Sequence, residues 1–144
     1  MGLNALQEDN VSDVPSEGDK IPAEIDWVSK GVVSMVRDQT RSDWVVCASD
    51  YAIAAIASIE SSYMAAMNLT GVRLSAQQIM DCTGLQCQGG SLSSVFQYAQ
   101  LHPLYLDSGY PYTGEDGTCH QNHSIPVSAV QVDGYNIVPN SDHD

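Results

Sequence analysis

The residues best placed for chemistry form one run, Cys47-Ala48-Ser49-Asp50-Tyr51-Ala52-Ile53-Ala54, at the head of a long apolar segment. A cysteine thiolate attacks peptide carbonyls when a base lies within hydrogen-bond reach. A carboxylate cannot take its place. Asp50 therefore has two readings, a functional pocket acid or a helix-capping residue stabilised by the helix dipole, worth about 0.5–2 kcal/mol. The four cysteines, Cys47, Cys82, Cys87 and Cys119, also have two. As an even set they permit three disulfide connectivities. Alternatively, Cys82 and Cys87 with Cys119, His120 and His123 can be drawn as a zinc site.

The elements that must position these groups read as follows. Residues 1–20 carry Glu8, Asp9, Asp13, Glu17 and Asp19 among few large apolar side chains, so a mobile acidic leader is expected there, with a single folded domain over 21–144. Pro22 favours extended chain, and Val32, Val33 and Val36 continue an extended apolar stretch. From Asp50 to Met67 the chain is apolar almost all round, which predicts a buried central helix with Ser49 or Asp50 at its N-cap. Asp50, Ser58, Glu60, Ser61 and Ser62 interrupt that run well short of the roughly 20 apolar residues of a membrane span. Ser75-Ala76-Gln77-Gln78 is a capping box opening a short helix to about Met80. Leu92, Val95, Phe96 and Ala99 recur at helical spacing, predicting a third helix that ends before Pro103. Val127 to Ile137 reads as extended chain around Asp133-Gly134-Tyr135.

Composition narrows the partners. The chain has 144 residues, enough for one domain with a real core. Eighteen acidic residues against five basic ones give a net charge of −13. Nucleic acid and anionic membranes, which require Lys/Arg patches, are excluded as natural partners. Three Asn-x-Ser/Thr sequons, at Asn10, Asn68 and Asn122, point to a secretory route. The start Met1-Gly2-Leu3-Asn4 has neither a signal-peptide pattern nor, with Leu6 in sixth place, a myristoylation pattern.

The motifs together resemble the papain-like cysteine peptidases of the cathepsin L type. The run at Cys47 is similar to the family's Cys-Gly-Ser-Cys-Trp-Ala-Phe-Ser, with Asp50 where the nucleophile stands. Gly2-Leu3-Asn4-Ala5-Leu6 resembles the end of a family propeptide, and Ile21 to Trp27 resembles the mature start. Leu74 to Cys82 is similar to Leu-Ser-Glu-Gln-x-Leu-x-Asp-Cys, Cys87-Gln88-Gly89-Gly90 to Cys-x-Gly-Gly, and Tyr110-Pro111-Tyr112 to Tyr-Pro-Tyr. Counting forward from Gln39, the oxyanion glutamine by resemblance, puts the nucleophile position on Val45. Counting back from Glu60 along the helix puts it on Asp50, with an insertion inside Thr40–Val46 and Cys47 on the partner cysteine. The second register accounts for every cysteine. Neither offers a nucleophilic thiol.

The resemblance implies an α+β papain-like fold, of which this chain carries the α-helical left domain, without the right β-domain that holds the histidine base and its asparagine. His102, His120, His123 and His143 match no family base. It selects the pairing Cys47–Cys87 and Cys82–Cys119, which persists only in an oxidising compartment, outside the cell or in a lysosome or vacuole. It implies a peptide-binding wall of Ser49, Gly89, Gly90 and Leu92, the glycines admitting an extended peptide for want of a Cβ. Gln39 is the implied oxyanion donor, disturbed by the insertion, whose Trp44 is either a lid or a partner contact. No cofactor and no metal are expected. The implied partner is a peptide or protein, or a separate right-domain chain. A catalytically inactive binding or structural protein, a matrix protein on a stable scaffold, and one piece of a larger peptidase all remain open at this point.

Overall fold

The computed structural model describes residues 22–42, 45–120, 130 and 132–136. Its contacts divide the chain into a unit spanning 26–134 and a second comprising 1–25 and 135–144, whose described residues hold no regular element. The expected leader, residues 1–20, lies outside the described residues, as do Trp44 and the sequons at Asn10 and Asn122.

The unit 26–134 is built on three helices. Helix α1 (Asp50–Met67) is the long apolar segment, α2 is Ala76–Thr83, and α3 is Leu92–Leu101. A 3₁₀ turn at Gln86–Gln88 joins α2 to α3. Ahead of α1, strands β1 (Thr40–Ser42) and β2 (Val45–Val46) pair antiparallel, Thr40 against Val46, with an irregularity between Thr40 and Ser42. This hairpin is the sole sheet among the described residues. An isolated antiparallel bridge joins Leu74 to Leu106.

Each helix follows from local chemistry. Ser75 adopts an extended conformation and its hydroxyl accepts from the Gln78 amide, which starts α2. The reciprocal half of the expected box is not made. Gln78 turns its side chain into the interior instead, where its Oε1 accepts from the Tyr105 amide and its Nε2 donates to the Pro103 carbonyl. Helix α2 runs past Met80 to Thr83 and stops where Gly84 takes a left-handed conformation that a side chain would strain. Helix α3 begins at Ser91, whose hydroxyl accepts from the Ser94 amide, and ends at His102 before Pro103. Helix α1 ends on Asn68 in the left-handed region, with the Asn68 amide donating to the Met64 carbonyl.

The core sits between the three helices. Ile56, Met64, Leu74, Ile79, Met80, Val95 and Leu104 are fully buried, each worth about 1.5–3 kcal/mol in apolar burial. Helix α1 buries one side through Tyr51, Ala52, Ala55, Ile56, Ile59 and Met64. Its other side, Ala54, Ser58, Ser62 and Ala65, is exposed. The expectation of a helix buried all round is corrected: small side chains line the outer stripe, and alanine reads as apolar in sequence while tolerating water.

Two expected extended segments form no strand among the described residues. Residues 32–39 run without regular structure, with Met35 and Val36 at 78% and 97% exposure. At 132–134 the chain lies along the end of α3, held by Val132 N–H to the Ala99 carbonyl and Gln100 Nε2 to the Asp133 carbonyl. A strand needs a partner edge, and α3 offers only terminal carbonyls and side chains. Val127, Ala129 and Ile137 lie outside the described residues.

Candidate functional site

Disulfides connect Cys47 to Cys87 and Cys82 to Cys119. The first ties the start of α1 to the 3₁₀ turn and is reinforced by the Ala48 amide, which donates to the Cys87 carbonyl at 3.2 Å. The second ties the end of α2 to the loop after Tyr112. No free cysteine is left. The thiolates of the zinc alternative are therefore consumed.

Asp50 is the first residue of α1 and is exposed. Its carboxylate sits in the first turn, where the helix dipole favours negative charge. Ser49 holds the N-cap position but makes no side-chain cap bond. It is fully buried, and its hydroxyl lies 2.7 Å from the Tyr112 hydroxyl. Tyr112 has one proton, which it donates to the Gln39 carbonyl at 2.9 Å, so Ser49 is the donor in the first contact. The expected substrate-facing Ser49 thus points inward, because its hydroxyl is spent on Tyr112. One phenol joins the backbone of Gln39 to the head of α1 across the β1–β2 hairpin.

That hairpin occupies the Thr40–Val46 stretch. Its first strand is set by Asp38, whose carboxylate accepts from both the hydroxyl and the amide of Thr40 at 2.7 and 2.8 Å. These two bonds, the hydroxyl first, hold the Asp38 carboxyl below its ordinary value. Gln39 itself is half-buried.

Gly89 and Gly90 follow the 3₁₀ turn. Gly89 has φ +90°, and a Cβ there would meet nothing within 4 Å. At Gly90 a Cβ would lie 2.7 Å from Leu85 Cδ1 and 2.9 Å from Tyr51 Cδ2. Glycine is required at Gly90 by the chain's own packing, and at Gly89 by its backbone conformation. Leu92, at the start of α3, is 48% exposed. Tyr51 lies beneath these residues and donates its hydroxyl to the Gln86 carbonyl. Burial, then the negative charges of Asp116, Asp50 and Asp81, push Tyr51 up to about 12.

Sequence reasoning missed the groups that brace this wall. Arg37 and Glu60 form a buried ion pair at 2.6 Å, and Glu60 also accepts from the Leu74 amide. Asp81 accepts from Gln77 Nε2 and from the Tyr110 hydroxyl. Both tyrosines of Tyr110-Pro111-Tyr112 are structural fasteners. A concavity of about 500 Å³ lies between α2 and the loop 109–120, walled in part by Asp81, Tyr110, Asp116 and His120. Of the histidines, His102 stacks on Tyr98 at 4.5 Å and His120 lies 6.3 Å from the Tyr110 ring. His123 and His143 lie outside the described residues. No described helix is long and apolar enough to cross a membrane.

The profile of the papain family cysteine proteases matches residues 21–144. Vignain of Vigna mungo is 34% identical over 126 residues, which cover 85% of this chain and 33% of vignain. A cathepsin L-like proteinase of Fasciola hepatica is 34% identical over 123 residues, 81% of this chain and 36% of that protein. Among solved structures, the cysteine protease CMS1MS2 of Carica candamarcensis, in complex with E-64, superposes with a TM-score of 0.70 at 29% identity, covering 83% of this chain and 54% of its own. Bromelain of Ananas comosus, also with E64, gives 0.68 at 31%, covering 79% and 50%. The chain thus spans about a third of the length of the relatives it matches in sequence and about half of these structures. With the fold, both disulfides and the profile in agreement, the chain belongs to the papain family of cysteine proteases.

Proposed function

We propose that this chain is a papain-family protein without peptide-hydrolysing chemistry, acting through binding of an extended peptide or protein segment. The observation that carries the reading is the head of α1. The residue three positions after the disulfide-bonded Cys47 is Asp50, and all four cysteines of the chain are bridged. A carboxylate in that place holds no sulfur nucleophile for a peptide carbonyl. The binding wall in this reading consists of Gly89, Gly90 and Leu92 beside Gln39, with Asp50 supplying a negative charge at its centre. Ser49 acts behind the wall as a fastener. The leader at 1–20, glycosylation at Asn10, Asn68 and Asn122, and residence outside the cell or in a lysosome or vacuole belong to the same reading, supported by the sequons and the disulfides.

The test is incubation of the purified chain with a fluorogenic dipeptidyl substrate and, separately, a fluorescent extended peptide. Retention of the peptide without cleavage is expected. Hydrolysis that disappears on changing Asp50 overturns the reading.

A second reading, that the chain is the left-domain portion of a cysteine endopeptidase completed by a right domain, is favoured by one observation. Met35 and Val36 have 78% and 97% of their surface in water, as neighbouring apolar side chains at a contact surface do. Sequencing the transcript past Asp144 tests it: a following segment bearing the histidine and asparagine supports the second reading, and a stop codon removes its single-chain form.

A further inference from the structure

Two of the chain's five basic residues, Arg37 and Arg73, line one small crevice together with Asp38, Asp107, Ala76 and Tyr112. Its volume is about 40 Å³. Arg37 is buried, with 7% of its side chain exposed. Its Nη2 donates to Glu60 Oε1 at 2.6 Å and to the Leu74 carbonyl at 2.9 Å. Its Nε and Nη1 are also buried, and neither they nor the buried Glu60 Oε2 meets a hydrogen-bond partner among the described residues. Arginine keeps its proton at any working pH, and a buried donor left unmet costs about 1–3 kcal/mol. Arg37 also lines the crevice, which has room for an acceptor.

Size and charge identify that acceptor. A buried water needs roughly 10–15 Å³, so the crevice holds up to about three and nothing much larger. Against the two guanidinium groups stand Asp38, Asp107 and, paired with Arg37, Glu60. The surroundings offer no surplus positive charge to retain an anion, in a chain whose net charge is −13. We propose that this crevice is an ordered-water site, in which two or three water molecules accept from Arg37 Nε and Nη1 and donate to the carboxylates of Asp38 and Asp107. Asp38 has spare acceptor capacity because Thr40 engages one of its oxygens, and Asp107 because Arg73 Nε engages one of its own. The water cluster thereby links two ion pairs and supports, from the inner side, the segment whose Gln39 carbonyl is held by Tyr112.

The experiment has two arms. In a high-resolution crystal structure of the chain grown with bromide, ordered oxygen density within hydrogen-bond distance of Arg37 Nε and Nη1 is expected. An anomalous bromide peak there, or a crevice without density, overturns the proposal. In the second arm Ala76→Val fills the crevice with methyl groups that cannot accept. The native background is expected to lose about 4–8 °C in Tm. In the Arg37→Lys background, which retains a charge for Glu60 but has neither Nε nor Nη1, less than half that loss is expected. Equal losses in the two backgrounds overturn the proposal, because steric strain alone acts on both.

Discussion

Arg37 and Glu60 meet at 2.6 Å in the interior although 23 positions separate them in sequence. The pair fastens the irregular segment before the hairpin to the middle of α1, and Glu60 caps the Leu74 amide as well. Glu60→Gln leaves the Arg37 charge buried without its counter-ion. Loss of about 3–5 kcal/mol in unfolding free energy is expected, read from urea denaturation. A loss below about 1 kcal/mol, the range of exposed pairs, contradicts the assignment.

Tyr112→Phe removes the phenol that joins Gln39 to Ser49. The buried Ser49 hydroxyl then has no partner on that side, at a cost of about 1–3 kcal/mol. Hydrogen exchange should quicken at the amides of 38–42 while the middle of α2 keeps its protection. Uniform quickening throughout the molecule would show that Tyr112 acts only on global stability.

Three tyrosines carry a pH dependence. Tyr51 and Tyr110 are both pushed up to about 12, the first by burial and neighbouring carboxylates, the second by burial and its bond to Asp81. In the unfolded chain a tyrosine ionises near pH 10. The folded state therefore holds these protons more tightly, and their stabilising contribution is complete below pH 10 and declines as pH rises toward 12. Tyr98 is raised as well, chiefly by burial, so ultraviolet titration of tyrosinate should show three of the seven tyrosines ionising late, with denaturant stability falling over the same interval.

Asp50→Cys places a thiol at the N-terminus of an 18-residue helix. The helix dipole lowers the thiol pKa and raises the thiolate fraction, so rapid alkylation by iodoacetamide is expected. Peptide hydrolysis by this 144-residue chain should stay undetectable, for want of a positioned base. Turnover restored by that single change would refute the account of the site.

The helices were legible because their signals are local. The apolar run from Asp50 to Met67, the Ser75 cap and the spacing of Leu92, Val95 and Ala99 need no distant partner to be read. The disulfide pairing was legible only through the family resemblance, since four cysteines alone leave three connectivities. What escaped was long-range polar chemistry. Arg37 carries no signal in the sequence, Glu60 reads as an interruption of an apolar helix, and Tyr112 as part of a loop motif. Their roles depend on partners 23 and 63 positions away, and side-chain types do not encode such distances. Gly90 escaped in another way. Its missing Cβ reads as room for a ligand, whereas Leu85 and Tyr51 fill that room.

The two disulfides overlap in sequence, the loop from Cys47 to Cys87 beginning before Cys82 and the loop from Cys82 to Cys119 ending after Cys87. A single backbone cut between Cys47 and Cys82 leaves the pieces joined through Cys47–Cys87. A cut between Cys87 and Cys119 leaves them joined through Cys82–Cys119, and one between Cys82 and Cys87 leaves them joined twice. Over the whole stretch from Cys47 to Cys119 the molecule can therefore be nicked once without being divided. Among active peptidases that property preserves the three-helix body as one covalent object, and a nicked sample would betray itself as two bands only after a reductant is added.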